Sequence, residues 1–215
     1  MSSHRDRSRD ARVSIERMSG TLVVGVSGSP SDPSRTSTLV GATVQRLAAE
    51  LPDADAVTVE IGPLLADLGA AAGREQMSAA TQAALAAVEA ADVLVVGSPA
   101  FRAAYSGAFK LFFDWVGQYD LVDTPVLLTA TGGSDRHALL VEHQMRPLFG
   151  FFQSTTLPLA VFGNERDFTK RAGGYDISSV DLELRIDQAV RRALPIIRGG
   201  FVAAGVEDVR RPADF

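Results

Sequence analysis

Five short runs rich in valine and leucine, each followed by an amphipathic segment, constrain this chain more than any other feature. They are "TLVVGVSG" (21–28), "DAVTVEI" (55–61), "DVLVVGSP" (92–99), "TPVLLTATGG" (124–133) and "TTLPLAVFGN" (155–164). Several are apolar at nearly every position, the pattern of strands covered on both faces. Helical periodicity follows at about 36–51, 76–90, 106–117, 137–152 and 180–199. Strict alternation of strand and helix predicts an α/β fold: a parallel sheet with helices on both sides. Right-handed crossovers favour the flavodoxin-like, doubly wound five-stranded sheet in the order 2-1-3-4-5.

That order has a chemical consequence, because ligands of such sheets sit beyond the carboxyl ends of the strands, where the order reverses. The ends of strands 1, 3 and 4 meet there. They read "SGSPSDPSRTST", "GSPAFRAAYSG" and "TATGGSDRH", all rich in glycine, serine and threonine. The first is neither of the familiar nucleotide loops. Gly25 and Gly28 lack the third glycine of the Rossmann fingerprint, and no lysine is present to close a Walker loop. What remains is a set of hydroxyls and main-chain amides with Arg35 at the start of a helix.

A phosphate monoester needs many donors around one point, and a helix N-terminus supplies free amides and partial positive charge. Ser27, Ser29, Ser34, Thr36 and Ser37 offer hydroxyls and Arg35 a guanidinium fork. The same letters also suit an ordinary turn with Ser34 or Thr36 as N-cap. In the second loop Pro99 fixes the backbone, leaving Ala100 and Phe101 at the sheet end, and Ser106 reads as a helix cap. In the third, Gly132 and Gly133 allow close approach of the backbone to a flat ligand.

The composition narrows the classes. A chain of 215 residues with 46% apolar residues supports one core, and it reads as a soluble globular protein. The net charge of -5 gives no reason to expect nucleic acid. The absence of cysteine removes disulfides, thiolate metal sites and thiol nucleophiles. No run reaches the ~20 apolar residues of a membrane span, so no membrane partner is expected and the default location is cytoplasmic. Residues 1–20 read as a disordered arm, 21–205 as the domain and 206–215 as a tail. "LADLGAAAGREQ" reads as loop material and a candidate flap, and the segment 165–179 as a mobile or subunit-facing loop.

The chain resembles the NAD(P)H-dependent FMN reductases of flavodoxin-like fold, especially those that supply reduced flavin to two-component monooxygenases of the alkanesulfonate type. The resemblance is carried by "GSPSDPSRTSTL", "SPAFRAAYSGAFKLFFDW" and "ATGGSDRHALLVEHQMRPLF", and covers roughly 22–165. It implies FMN as cofactor or substrate, NADPH or NADH as donor, and a homodimer or homotetramer. By the same resemblance the FMN phosphate falls to Ser29, Ser34, Arg35, Thr36 and Ser37. Pro99, Ala100 and Phe101 would run along the isoalloxazine, with Thr131, Gly132, Gly133 and Ser134 against another part of the ring and His137 at its edge. Phe101 stands where relatives often carry tyrosine, and Arg102 replaces a frequent lysine. Some relatives carry an inserted aromatic and a widened turn within the helix at "SGAFKLFFDWVGQYD"; none is recognised here.

No acid–base or nucleophile set accompanies these loops, which agrees with hydride transfer carried by a cofactor and positioned by the protein. His137, Glu142 and His143 lack metal-ligand spacing, so no metal is expected. Arg102 and Arg136, beside the flavin loops, are candidates to attract the dinucleotide phosphates. Two other readings fit the loops: a reductase of quinones, azo compounds or metal ions with retained flavin, and a flavodoxin-like electron carrier without enzymatic activity.

Overall fold

The computed structural model describes residues 20–199; the expected N-terminal arm and C-terminal tail lie outside the described residues. The sheet is built from β1 (Leu22–Ser27), β2 (Asp55–Glu60), β3 (Val93–Pro99), β4 (Pro125–Gly132), β5 (Thr155–Thr156) and β6 (Val161–Asn164). All its pairings are parallel, in the order β2-β1-β3-β4-β5, with β6 also against β4. The helices are α1 (Arg35–Ala49), α2 (Leu65–Ala70), α3 (Ala79–Glu89), α4 (Gly107–Phe113), α5 (Arg146–Phe151) and α6 (Val180–Arg198).

The strands are apolar on both faces because the two faces belong to two cores. Val24, Val26, Leu94, Val96, Val126 and Leu128 point to one side, where Phe109, Phe112 and Phe113 of α4 meet Phe149 and Phe152. Their neighbours Val23, Val95 and Leu127 point to the other, against α1 and α6 through Leu39, Val40, Leu47, Leu182, Ile186 and Val190. The aromatic cluster is edge-on in several pairs, including Phe113 to Phe149 at 5.1 Å between centroids. Phe109, Phe113 and Phe149 are almost wholly buried, so truncating any of them to alanine costs about 3–5 kcal/mol. Phe151, by contrast, is exposed.

The structure corrects four expectations. The fifth strand is in two pieces: three residues along β4 face five along the edge between Thr156 and Val161. Pro158, which has no N–H to donate, lies in that interruption. The helix expected over 137–152 is a single 3₁₀ turn, Asp135–His137, then a π turn, Val141–Met145, then α5. Pro147 cannot donate to the preceding turn, and the Arg146 N–H reaches back five residues to the Val141 carbonyl. The π turn is therefore here, whereas α4 is regular and stops at Phe113.

The supposed flap contains α2, because Leu68 is buried in the core and Leu64 and Leu65 pack against it. The Asp67 carboxylate then accepts from the Ser78 N–H and hydroxyl and from Thr81, at the start of α3. The segment expected as a mobile or subunit-facing loop at 165–179 contains an antiparallel hairpin, β7 (Phe168–Arg171) and β8 (Gly174–Ile177). Its two-residue turn, Ala172 and Gly173, uses glycine at φ +78°.

Candidate functional site

β1, β3 and β4 end side by side: Ser27 is in register with Gly97, and Pro99 with Thr131. The three loops that leave them are joined by their own main chains. The Gly28 N–H donates to the Gly97 carbonyl at 2.7 Å, and the Ala100 N–H to the Thr131 carbonyl at 2.7 Å. Ser106 braces the first loop from the second: its hydroxyl donates to the Gly28 carbonyl at 2.6 Å while accepting from the Phe109 N–H to cap α4. Gly28 must be glycine, since a Cβ there would lie 2.5 Å from the Phe109 ring.

In the first loop Ser34 is the N-cap of α1, its side-chain oxygen accepting from the N–H groups of Thr36 and Ser37. The turn reading and the anion reading are thus compatible, because capping consumes the Ser34 acceptor and leaves its hydroxyl proton. Among the described residues, no protein acceptor takes the N–H of Ser34 or Arg35. The Nε of Arg35 is buried without a partner. Its guanidinium is held in place by two contacts, an ion pair with Glu165 and the Tyr175 ring, 4.9 Å from ring centroid to Cζ.

The other hydroxyls serve the scaffold. Ser27 is buried and bonded to Ser37 at 2.8 Å, and Ser37 donates to the Glu60 carboxylate at 2.7 Å. Thr36 is bonded to Thr131 across the cleft. Ser29 closes a small turn with Ser31. Ser34 and Arg35 therefore keep donors that are uncommitted, or committed only to an exchangeable carboxylate.

The second loop turns sharply. Phe101 and Ala104 exchange main-chain hydrogen bonds around Arg102 and Ala103, both at positive φ, 52° and 67°. A turn with two left-handed residues favours Asn-Gly; Arg-Ala in its place stores strain beside the cleft. It leaves Phe101 half exposed at the mouth. In the third loop Thr131 is buried, Gly133 is exposed and Ser134 leads the 3₁₀ turn that carries Arg136 and His137. A Cβ on Gly132 would lie 3.2 Å from His137 Nδ1, an atom that is itself buried without a partner. Arg102 and Arg136 are exposed, and His143 faces solvent on the π turn.

Sequence reasoning missed the residues that close the site from the edge of the sheet. Asn164, at the end of β6, donates to Asp135 at 2.8 Å and opens a 3₁₀ turn with Asp167 as its capping partner. Asp135 also accepts from Arg166 at 2.8 Å, and these bonds, from Asn164 first and Arg166 next, hold its carboxyl below the ordinary 3.8. Asn164 three residues before Asp167 was a readable capping signal. Nothing local announced that Glu165 or Tyr175 would reach Arg35. A groove of about 710 Å³ lies beyond this corner, toward α6. Its Asp135 and Asp167 are already paired with Arg166 and Arg185, so the cleft at the strand ends, with its unpartnered donors, is the better candidate.

Arg35 Nε, at the start of α1, and His137 Nδ1, in the third loop, are the buried side-chain polar atoms without a partner among the described residues. The family of the NADPH-dependent FMN reductases matches residues 21–168. The chain is 45% identical over 174 residues to the NADH-dependent FMN reductase SfnF of Pseudomonas fluorescens, covering 81% of this chain and 90% of that one. It is 46% identical over 177 residues to an FMN reductase (NADPH) of Pseudomonas aeruginosa, covering 82% and 92%. Among solved structures, an oxidoreductase from Corynebacterium diphtheriae superposes with a TM-score of 0.71 at 27% identity, covering 85% of this chain and 99% of that one. An NADH:FMN oxidoreductase in its apo form superposes at 0.70 with 22% identity, covering 86% and 93%, a likeness of fold.

Proposed function

The chain belongs to the NADPH-dependent FMN reductase family, and from that premise we propose how its cleft serves the reaction. The protein is an oxidoreductase that uses FMN and a reduced pyridine nucleotide. In our reading the FMN phosphate is held at the first turn of α1 by the Ser34 hydroxyl, the free amides and Arg35. The observation that carries this is the buried, unpartnered Nε of Arg35 beside the α1 N-terminus.

Bound flavin supplies the hydride acceptor. The chain's residues supply placement. Pro99, Ala100 and Phe101 run along the ring, Thr131, Gly132, Gly133 and Ser134 lie against another part of it, and His137 offers Nδ1 at its edge. Ser27, Ser29, Thr36, Ser37 and Ser106 shape the phosphate loop through the bonds described above. The exposed Arg102 and Arg136 attract the phosphates of NADH or NADPH. We further propose that reduced FMN leaves for a partner monooxygenase, that the protein works in the cytoplasm, and that it assembles as a homodimer or homotetramer.

The test is NADH or NADPH oxidation followed at 340 nm with FMN, riboflavin or no flavin added. Turnover that saturates with added FMN, at lower concentration than with riboflavin, supports an exchangeable flavin whose phosphate is recognised. Turnover without added flavin, with yellow colour kept through gel filtration, would replace it with a flavin-retaining reductase.

A further inference from the structure

We propose that Glu165 competes with the flavin phosphate for Arg35 and so keeps the phosphate grip loose; this rests on the phosphate-site reading above. The pairing is specific in its geometry. Glu165 takes Nη2 of Arg35, while Nε, the other donor on the same edge of the guanidinium, is buried and empty. Nε and Nη2 together form the fork that grips a phosphate with two parallel bonds. Half of that fork is occupied by the protein's own carboxylate.

The carboxylate stands inside the cleft rather than beside it. While one oxygen binds Arg35 of the first loop, the other lies 3.9 Å from where a Cβ on Gly133 of the third loop would be. Its backbone is fixed by the capped 3₁₀ turn at Asn164, itself tied to Asp135 of the third loop. The side chain is 57% exposed and so free to swing into water when displaced. Tyr175 holds the guanidinium in place without opposing an anion.

The surrounding charge argues the same way. Glu60 accepts from Ser37 in the first turn of α1, which puts a second carboxylate beside that turn. An incoming phosphate must displace Glu165 to complete its bonds, and Glu165 closes again behind it. This weakens retention of the phosphate end, a property suited to a flavin that enters oxidised and leaves reduced.

Quenching of flavin fluorescence gives the Kd for FMN and for riboflavin, which lacks the phosphate, with the full chain, Glu165→Gln, Arg35→Ala and the double variant. Glu165→Gln is expected to tighten FMN about two- to fivefold, the scale of a part-exposed ion pair, and to leave riboflavin unchanged, which also shows that the fold is intact. In the Arg35→Ala background the gain is expected to vanish. Weaker or unchanged FMN binding by Glu165→Gln, an equal gain for riboflavin, or a gain that survives without Arg35 would each overturn the competition. If the unaltered protein does not prefer FMN to riboflavin, the phosphate site itself is wrong and the role of Glu165 falls with it. Preference for FMN with no effect of Glu165→Gln refutes the competition alone.

Discussion

Thr36 and Thr131 share a hydrogen bond, Oγ1 to Oγ1 at 2.6 Å, that joins the first turn of α1 to the end of β4 within the buried floor of the cleft. It ties the first loop to the third loop. Replacing either residue by valine leaves the other hydroxyl buried without that partner. Each single change is expected to cost about 1–3 kcal/mol in urea unfolding, and the double change less than the sum.

Gly28→Ala is expected to lower stability by about 1–3 kcal/mol and raise the KM for FMN, because the added methyl overlaps the Phe109 ring and pushes the first loop off its bonds to Gly97 and Ser106. Adding Phe109→Leu should recover part of the KM defect by making room. Steady-state kinetics on the two variants decides it.

Asp135 ties the third loop to the end of β6 through Asn164 and Arg166, and its carboxyl is held below 3.8. A depressed carboxyl stabilises the fold above its unfolded value and loses that contribution as pH falls through the folded one. Asp135→Asn is therefore expected to lower the Tm at pH 7, with the gap from the unaltered protein narrowing toward pH 3. A gap that is constant across that range would assign the loss to packing instead.

Arg102 and Arg136 are exposed and make no ion pair among the described residues, which leaves their charge available to the role proposed for them. Reversal to glutamate at either is expected to raise the apparent KM for NADH or NADPH about threefold or more at low salt, and less at high salt as screening grows. An unchanged value removes that residue from nucleotide binding.

The strained turn at Arg102 and Ala103 offers a stability test that leaves the cleft's donors in place. Ala103→Gly, at φ 67°, is expected to raise stability by about 0.5–1 kcal/mol, the relief of a left-handed alanine less the added freedom of the unfolded chain. A higher urea midpoint with the same slope is the expected result.

The sequence by itself determined the sheet, its order and the three loops at its switch point. Strands such as Val93–Pro99 are apolar at consecutive positions, and that pattern has one stable use, burial on both faces. The cap, at Ser34 rather than Thr36, was readable because its requirement is local; the need for glycine at 28 was not, because it answers the Phe109 ring on α4. Tertiary structure alone decided where the edge of the sheet goes. Pro158 and Pro147 each lack one donor, but whether the chain breaks, bulges or widens there depends on what packs against it. It also decided which hydroxyls remain free, since Ser27, Ser37 and Thr36 are spent on partners 10, 23 and 95 residues away. The pairing of Arg35 with Glu165 spans 130 residues, and no local pattern encodes it. Side-chain chemistry is written along the chain, but its partners are fixed only when the strands bring distant loops to one end of the sheet.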